Sequence, residues 1–364
     1  MAEMTPLISS LPSTVPFVGP EALCRRTGAA LKARIGANES VYGPSPRAIA
    51  AMQAAAVESW QYGDPENHDL KAAIAGHLGV APENVAVGEG IDGLFGMAVR
   101  LFLEPGMPVA TSFGAYPTFN FHVAGLGGKL ITTPYVDDRE DPASLLTLAH
   151  AEKARIIYFA NPDNPMGTCW PAAEVEALIA AVPGDAILML DEAYGEFAPP
   201  GTMPPLDVTN PNVLRFRTFS KAYGMAGVRV GYCIGHPTVI QAFDKIRNHF
   251  GIGRMAQAGA IAALADQAYV KDVVARVARA RERLYRIADD NGLKAIRSAT
   301  NFVAIDCGRD GAYARAIVDG LLTHGIFIRM PGVAPLNRCI RVSCGHEQHL
   351  GLLAEALPTV LKSI

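Results

Sequence analysis

The sequence is poor in charge: only 18% of its 364 residues are Asp, Glu, Lys or Arg, and the formal net charge is −3. With no basic run, there is no expected partner among nucleic acids or anionic membranes. Six cysteines (Cys24, Cys169, Cys233, Cys307, Cys339 and Cys344) lie scattered with no C-x-x-C, and a chain of this length needs no disulfide staples, so they read as core residues. No uncharged apolar run approaches the ~18 residues of a membrane span. The N-terminal stretch begins with an acid and is broken by prolines, unlike a signal peptide. No H-E-x-x-H occurs and His346 and His349 lack a third ligand nearby, so no metal is expected. The absence of G-x-S-x-G removes support for serine-hydrolase chemistry. A reducing cytoplasm and a small-molecule partner are the expectations left.

Half the residues are hydrophobic, enough for a sizeable core. From about residue 84 one unit recurs: a short apolar run, a turn rich in Gly, Pro or Asn, then a helical pattern. The runs are NVAVG (84–88), MPVATS (107–112), KLITTPY (129–135), ARIIYFA (154–160), AILMLD (186–191), VLRFRTFS (213–220) and VRVGYCIG (228–235). Several are almost wholly apolar, as strands covered on both faces must be, which predicts a mostly parallel, helix-covered α/β sheet of seven strands. After about residue 255 the pattern becomes one long helical stretch ending at a Gly cap signal. NFVAIDC and CIRVSCG then flank another helix, predicting a smaller α+β domain. The expected division is an N-terminal arm over 1–30, a large domain over 31–255 and a small domain over 256–364. Arg276, Arg279, Arg281, Arg283 and Arg286 read as one solvated helix face.

Ligands of open parallel sheets sit beyond the carboxyl ends of the strands. There the sequence places Asn164 in NPDNPMGT, Asp191 and Tyr194 in DEAYGEF, Ser220 with Lys221, and Tyr116 in FGAY. A lysine among desolvating residues and other cations can serve as an amine nucleophile toward a carbonyl. The carbonyl such a set suits best is an aldehyde cofactor held as a Schiff base, pyridoxal 5'-phosphate being the usual candidate. Its ring needs a carboxylate at the nitrogen, donors at the hydroxyl and an aromatic to stack on. Its phosphate needs a cradle, and VAVGEGIDGLFGMAV puts Gly90, Ile91 and Asp92 where a strand passes into a helix N-terminus. Ser220 can add a hydroxyl and Arg229 a charge-assisted contact.

The segments SKAYGMAGVRVGY, NPDNPMG, DEAYGEF and YGDPENHDL resemble the motifs of fold-type I pyridoxal-phosphate enzymes, and most closely those of the histidinol-phosphate aminotransferase family. The likeness runs from GANESVYGPSPRAI to CIRVSCG. It implies that Lys221 holds the cofactor aldehyde and shuttles the proton, that Asp191 pairs with the ring nitrogen, that Asn164 and Tyr194 bond the ring hydroxyl, and that Tyr116 stacks on the ring. Gly90, Ile91, Asp92, Ser220 and Arg229 would hold the phosphate. Tyr62 would reach the phosphate of a neighbouring subunit's cofactor, making the enzyme a homodimer. Arg341 would bind the substrate carboxylate and Arg329 a substrate phosphate. Met166 stands where the family has threonine, G-I-D-G where G-S-D-E is familiar, and Gly63 where proline is common.

Gly88 to Gly93 also fits the dinucleotide pattern G-x-G-x-x-G, but the acidic residue expected about twenty positions on is missing. An effector-sensing module of the same fold normally carries a helix-turn-helix, for which the roughly 30 residues before the catalytic-type segment leave little room. Rivals within the fold are an aminotransferase for aromatic or other amino acids and a threonine-phosphate-type decarboxylase. The expectation is a cytoplasmic, homodimeric aminotransferase exchanging an amino group between glutamate/2-oxoglutarate and histidinol phosphate.

Overall fold

The apolar runs become strands because both of their faces are covered. In the computed structural model, which describes residues 2–13, 18–28 and 30–364, successive side chains enter opposite cores. Ile156, Tyr158, Ile187 and Met189 pack into one cluster; Ile157, Phe159, Leu188 and Leu190 pack into a second, against the helices Pro142–Ala151 and Ala172–Ala180. This two-sided burial is what the unbroken hydrophobicity of these runs encodes. Residues 1, 14–17 and 29 of the expected N-terminal arm lie outside the described residues.

The seven runs form one sheet: β1 (Val85–Gly88), β2 (Pro108–Ser112), β3 (Lys129–Thr133), β4 (Ile156–Ala160), β5 (Ile187–Asp191), β6 (Val213–Thr218) and β7 (Gly231–Ile234). Their order is β1-β7-β6-β5-β4-β2-β3. Only β7 runs against the rest, antiparallel to both β1 and β6. Pairing of Ala160 with Asp191, Asp191 with Phe216 and Gly88 with Gly231 brings the carboxyl ends of β1, β4, β5 and β6 and the start of β7 to one edge.

Beyond that edge stands a three-stranded antiparallel sheet in which Phe302–Asp306 lies between Cys339–Ser343 and Lys294–Ala295. A two-residue strand, Ala33–Arg34, pairs in parallel with Ile326–Phe327 and so joins the start of the chain to this region. The sequence predicts one long helical stretch after residue 255, whereas the chain forms two helices, Arg254–Ala265 and Gln267–Asp290. Asp266 leaves helical geometry (φ −101°, ψ 59°) and its side chain accepts from the Tyr269 N–H, so a capping acid ends one helix and starts the next. Of the expected solvated arginine face, Arg281 turns inward and donates to the Ser298 carbonyl at 2.9 Å.

One buried ion group ties two strand ends together. Glu192, fully buried after β5, accepts from Arg215 Nε (2.8 Å) and Nη2 (2.5 Å) on β6 and from Arg217 Nε (2.8 Å). Arg215 also donates to the Pro204 and Pro205 carbonyls, so each of its nitrogens is bonded within the protein. Removing one partner from such a group strands an uncompensated buried charge. Glu192→Gln is expected to lower unfolding free energy by roughly 3 kcal/mol, measured by urea titration, with unchanged stability as the contrary result.

Candidate active site

At the aligned strand ends lies a cavity of about 310 Å³. Its lining includes Ile91, Asp92, Tyr116, Asn164, Asp191, Tyr194, Ser220, Lys221, Arg229, Arg329 and Arg341. One end is shaped by backbone. β1 passes through Glu89 into the helix Gly90–Phe102, whose first N–H groups have no intrahelical acceptors and are available to an anion. Gly90 has φ +74°, and a side chain there would run into the Arg229 guanidinium. Gly231 closes from the other side, since a Cβ on it would sit 2.7 Å from the Gly90 carbonyl carbon. Arg229 itself adopts the left-handed conformation (φ +60°), held by bonds from its guanidinium to the Ala226 carbonyl (3.0 Å) and the Glu89 carbonyl (3.4 Å). Ser220 presents its hydroxyl beside this end, accepting from Thr218 Oγ1 at 2.9 Å. The Asp92 carboxylate is engaged by His122 Nε2 at 3.0 Å.

The centre of the cavity holds the titratable groups. Lys221 Nζ donates to the Asn38 carbonyl at 3.2 Å and lies 5.6 Å from the Tyr194 ring centroid. Desolvation, with Arg341 and Arg229 adding repulsion, pushes its amine down to about 8. Asp191 is buried and fixed by two donors, the Tyr158 hydroxyl (2.7 Å) and the Ala193 N–H (2.9 Å). Burial nonetheless raises it to about 6, so a cation placed against it would be favoured. The Tyr194 hydroxyl accepts from Asn38 Nδ2 (3.2 Å) and Asn164 Nδ2 (3.4 Å), and burial raises its pKa. Tyr116 is raised by burial as well.

The far end is cationic. Arg341 is buried on its strand and donates from Nη1 to Asn164 Oδ1 at 2.6 Å, while its Nε is buried with no partner. Desolvation lowers it to about 10. Arg329 is its antiparallel bridge partner, and burial lowers its pKa too. Arg329 Nη2 donates to the Val18 carbonyl at 2.9 Å, which draws the N-terminal segment over the cavity. A second chamber of about 690 Å³ opens past Asn164, Arg329 and Arg341, walled by Phe113, Leu322 and Phe327 among others.

The structure thus brings together all the residues singled out from sequence except Tyr62, with Gly90 present as cradle backbone. Tyr62 is 76% exposed and rests on Phe250, ring centroids 4.5 Å apart, outside the cavity of its own chain. Sequence reasoning missed Asn38, which bonds both Lys221 and Tyr194, and Tyr158, which fixes Asp191. Asn38 lies in a turn at φ +55°, a conformation asparagine tolerates, and the GANES segment was the available signal. Tyr158 sits inside an apolar strand with nothing to distinguish it from core. The unusual Met166 is explained by packing: it is buried against Ala304, Leu336 and Cys339. Among the described residues no group of three or more His, Cys, Asp or Glu is arranged to hold a metal, and no helix is long and apolar enough to cross a membrane.

A depressed lysine amine, a fixed carboxylate opposite, an anion cradle at one end and paired guanidiniums at the other define an enzyme of amine and carbonyl chemistry on an α/β sheet. Residues 32–357 match the family described as aminotransferase class I and II, and the chain belongs to that family. It is similar to histidinol-phosphate aminotransferases from Moorella thermoacetica (30% identical, covering 97% of this chain and 92% of that one) and from an Anaeromyxobacter species (34%, 99% and 100%). The solved histidinol-phosphate aminotransferase of Sinorhizobium meliloti in complex with pyridoxal-5'-phosphate superposes with a TM-score of 0.97 at 58% identity, covering 100% of this chain and 98% of that one. An aspartate aminotransferase from Thermus thermophilus shares the fold at 24% identity and a TM-score of 0.83, covering 99% of this chain and 100% of that one.

The lysine's environment has a direct consequence. An amine at about 8, rather than the ordinary 10.5, is largely the free nucleophile in mildly alkaline solution. Modification of Lys221 in the cofactor-free protein by a small aldehyde, trapped by borohydride and followed by peptide mass, is expected to rise with pH through a midpoint near 8. A midpoint near the ordinary lysine value of 10.5 would contradict the site's electrostatics.

Proposed function

We propose that this protein is a pyridoxal-phosphate-dependent histidinol-phosphate transaminase, exchanging an amino group between glutamate/2-oxoglutarate and histidinol phosphate and its imidazole keto partner. The observation that carries the substrate is the neighbouring pair Arg329 and Arg341, bridged through their backbones at the cavity's far end, with Arg341 Nε buried and unpartnered. Two guanidiniums suit a nearly dianionic phosphate better than a single carboxylate. The naming of relatives that align over almost the whole chain supports the same reading.

The residues fit the cofactor: a cradle at Gly90 that any side chain would close, and a buried carboxyl at Asp191 awaiting a cation. When bound, pyridoxal 5'-phosphate supplies an aldehyde that condenses with amines and a ring that accepts an electron pair. Gly90, Ile91 and Asp92 offer backbone donors to its phosphate, with Ser220 and Arg229 adding a hydroxyl and a charge. Asp191, locked by Tyr158 and Ala193, would hold the proton on the ring nitrogen. Asn164 and Tyr194 would bond the ring hydroxyl and Tyr116 would lie against the ring. Lys221 Nζ would hold the aldehyde, and as a free amine in the cavity it would take a proton from the substrate carbon and return it one position away. Its lowered pKa leaves it free to accept that proton. Arg341 and Arg329 orient the substrate anion so that the bond to be broken faces Lys221.

The proposal extends to assembly and location. Trp60 (82% exposed) and Tyr62 (76%) stand out on the single chain, a surface that suits burial in a homodimer in which Tyr62 reaches the partner's phosphate site. A cytoplasmic location and the division into arm, large domain and small domain belong to the same reading. The apolar chamber beyond Arg329 favours one second reading, an aminotransferase for aromatic amino acids. Faster turnover of phenylalanine or tyrosine than of histidinol phosphate would decide for it.

Steady-state assays with histidinol phosphate and 2-oxoglutarate test the proposal. Lys221→Ala is expected to abolish turnover, and near-normal transamination by it would overturn the mechanism. Arg329→Ala should raise KM for histidinol phosphate by about tenfold or more, the value of one charge-assisted contact, and affect glutamate less. Equal effects on both would remove Arg329 from phosphate recognition. Inactive Lys221→Ala and impaired Tyr62→Ala chains, mixed and reassociated, should recover roughly a quarter of wild-type activity through one repaired site per hybrid dimer. No recovery would argue against sites shared between subunits.

A further inference from the structure

Behind the cavity lie two buried carboxyl groups that the transamination chemistry does not use. Glu140 (1% exposed) precedes the helix Pro142–Ala151, and Asp163 (2% exposed) sits in the turn after β4, directly before Asn164. Asp163 organises that turn. Its Oδ2 accepts from the Met166 N–H (3.0 Å), its Oδ1 from the Tyr135 hydroxyl (2.7 Å), its N–H donates to the Thr168 carbonyl (2.8 Å), and its carbonyl accepts from the Gly167 N–H (3.2 Å). Glu140 Oε1 accepts from the Ala160 N–H at 3.1 Å, and Trp170 Nε1 pins the Glu140 carbonyl at 2.7 Å. Glu140 Oε2, by contrast, is buried without a partner in ideal hydrogen-bond geometry, with the equally unpartnered Ser112 hydroxyl as its neighbour. The two carboxyl groups lie within hydrogen-bonding reach of each other.

Two carboxylates buried side by side repel strongly, and one proton between them turns the repulsion into a hydrogen bond. That proton would also give Glu140 Oε2 its missing partner. The consequence reaches the substrate site through a short path, because the adjacent Asn164 accepts from Arg341 Nη1 at 2.6 Å and donates to the Tyr194 hydroxyl at 3.4 Å. We propose that Glu140 and Asp163 share one proton, and that this protonated pair fixes the turn that positions Asn164 and, through it, Arg341 for the substrate anion. The inference rests on the reading of Arg341 as a substrate-binding cation. Glu140 and Asp163 are positioning residues that act through Asn164.

The surroundings agree. The groups facing the pair are the Ser112 hydroxyl at the end of β2, the Tyr135 hydroxyl after β3, the Ala160 and Met166 amides, Asp191 from β5 and Arg341 from the three-stranded sheet. Of these only Arg341 is cationic. Burial raises Asp163 to about 7 and Glu140 well above the ordinary carboxylate range, with Asp191 adding repulsion at Glu140. These shifts favour a proton on the pair at neutral pH, and alkaline solution acts against it.

Two measurements on the holoenzyme test this. First, the infrared spectrum at neutral pH should contain a protonated-carboxyl band that disappears in Glu140→Gln; a spectrum of wild type without that band overturns the proposal. This readout is independent of substrate, so it stands even if histidinol phosphate is not turned over. Second, KM for histidinol phosphate in wild type should rise in the alkaline range, by at most about tenfold per pH unit for one proton, with kcat moving less. Glu140→Gln carries a permanent N–H donor and should flatten that rise, while Ser112→Ala should keep the rise and move it to higher pH. A Glu140→Gln profile that matches wild type, or a Ser112→Ala profile that is flattened instead, overturns it. Should Glu140→Gln fail to fold, Asp163→Asn offers the same permanent donor from the other side and the same flattening is expected.

Discussion

The structure depends on partly desolvating one amine. Lys221 is placed where desolvation and the repulsion of Arg341 and Arg229 lower its pKa to about 8, against the 10.5 of an ordinary lysine. That requirement accounts for the alignment of strand ends, which form a crevice covered by a second sheet. It also explains the glycines at 90 and 231, which let backbone from β1 and β7 close to within van der Waals contact. Buried ionic groups are stabilised by specific partners elsewhere: Glu192 by two arginines, Asp191 by a hydroxyl and an amide.

Charge is also divided along the cavity. The end near β1 offers backbone donors and Arg229, the far end offers Arg329 and Arg341, and Asp191 is fixed between them. A ligand with an anion at each end and a protonatable group in the middle matches this division. The cost is two arginines partly stripped of water, both with pKa values pushed down. Such a cost is met by an anionic ligand rather than by the empty protein, which is why the unpartnered Arg341 Nε carries weight.

Much of this was legible in the sequence because the relevant residues follow strands. Two-sided burial leaves an unbroken apolar run, and polar residues at or just after the ends of such runs (Asn164, Asp191, Lys221) fall at the crevice. What was not legible depends on contacts between distant segments. Asn38 meets Lys221 across 183 residues, and Tyr158 hides a functional hydroxyl inside an apolar strand. Glu140 reads as an ordinary charge before a helix, and only packing reveals it as buried beside Asp163. The break at Asp266 was missed because helix periodicity continues across it while the capping side chain decides the geometry. Tyr62 lies on the outer surface of its own chain, against Phe250.

The most direct test of the account is the visible absorbance of the purified protein loaded with pyridoxal phosphate and mixed separately with glutamate and with histidinol phosphate. The account predicts that each amine alone converts the cofactor's aldehyde form to its amine form in a single half-reaction, with histidinol phosphate saturating at the lower concentration. A cofactor band that responds to glutamate and ignores histidinol phosphate would contradict the substrate, and the lack of any protein-bound band would contradict the role of Lys221.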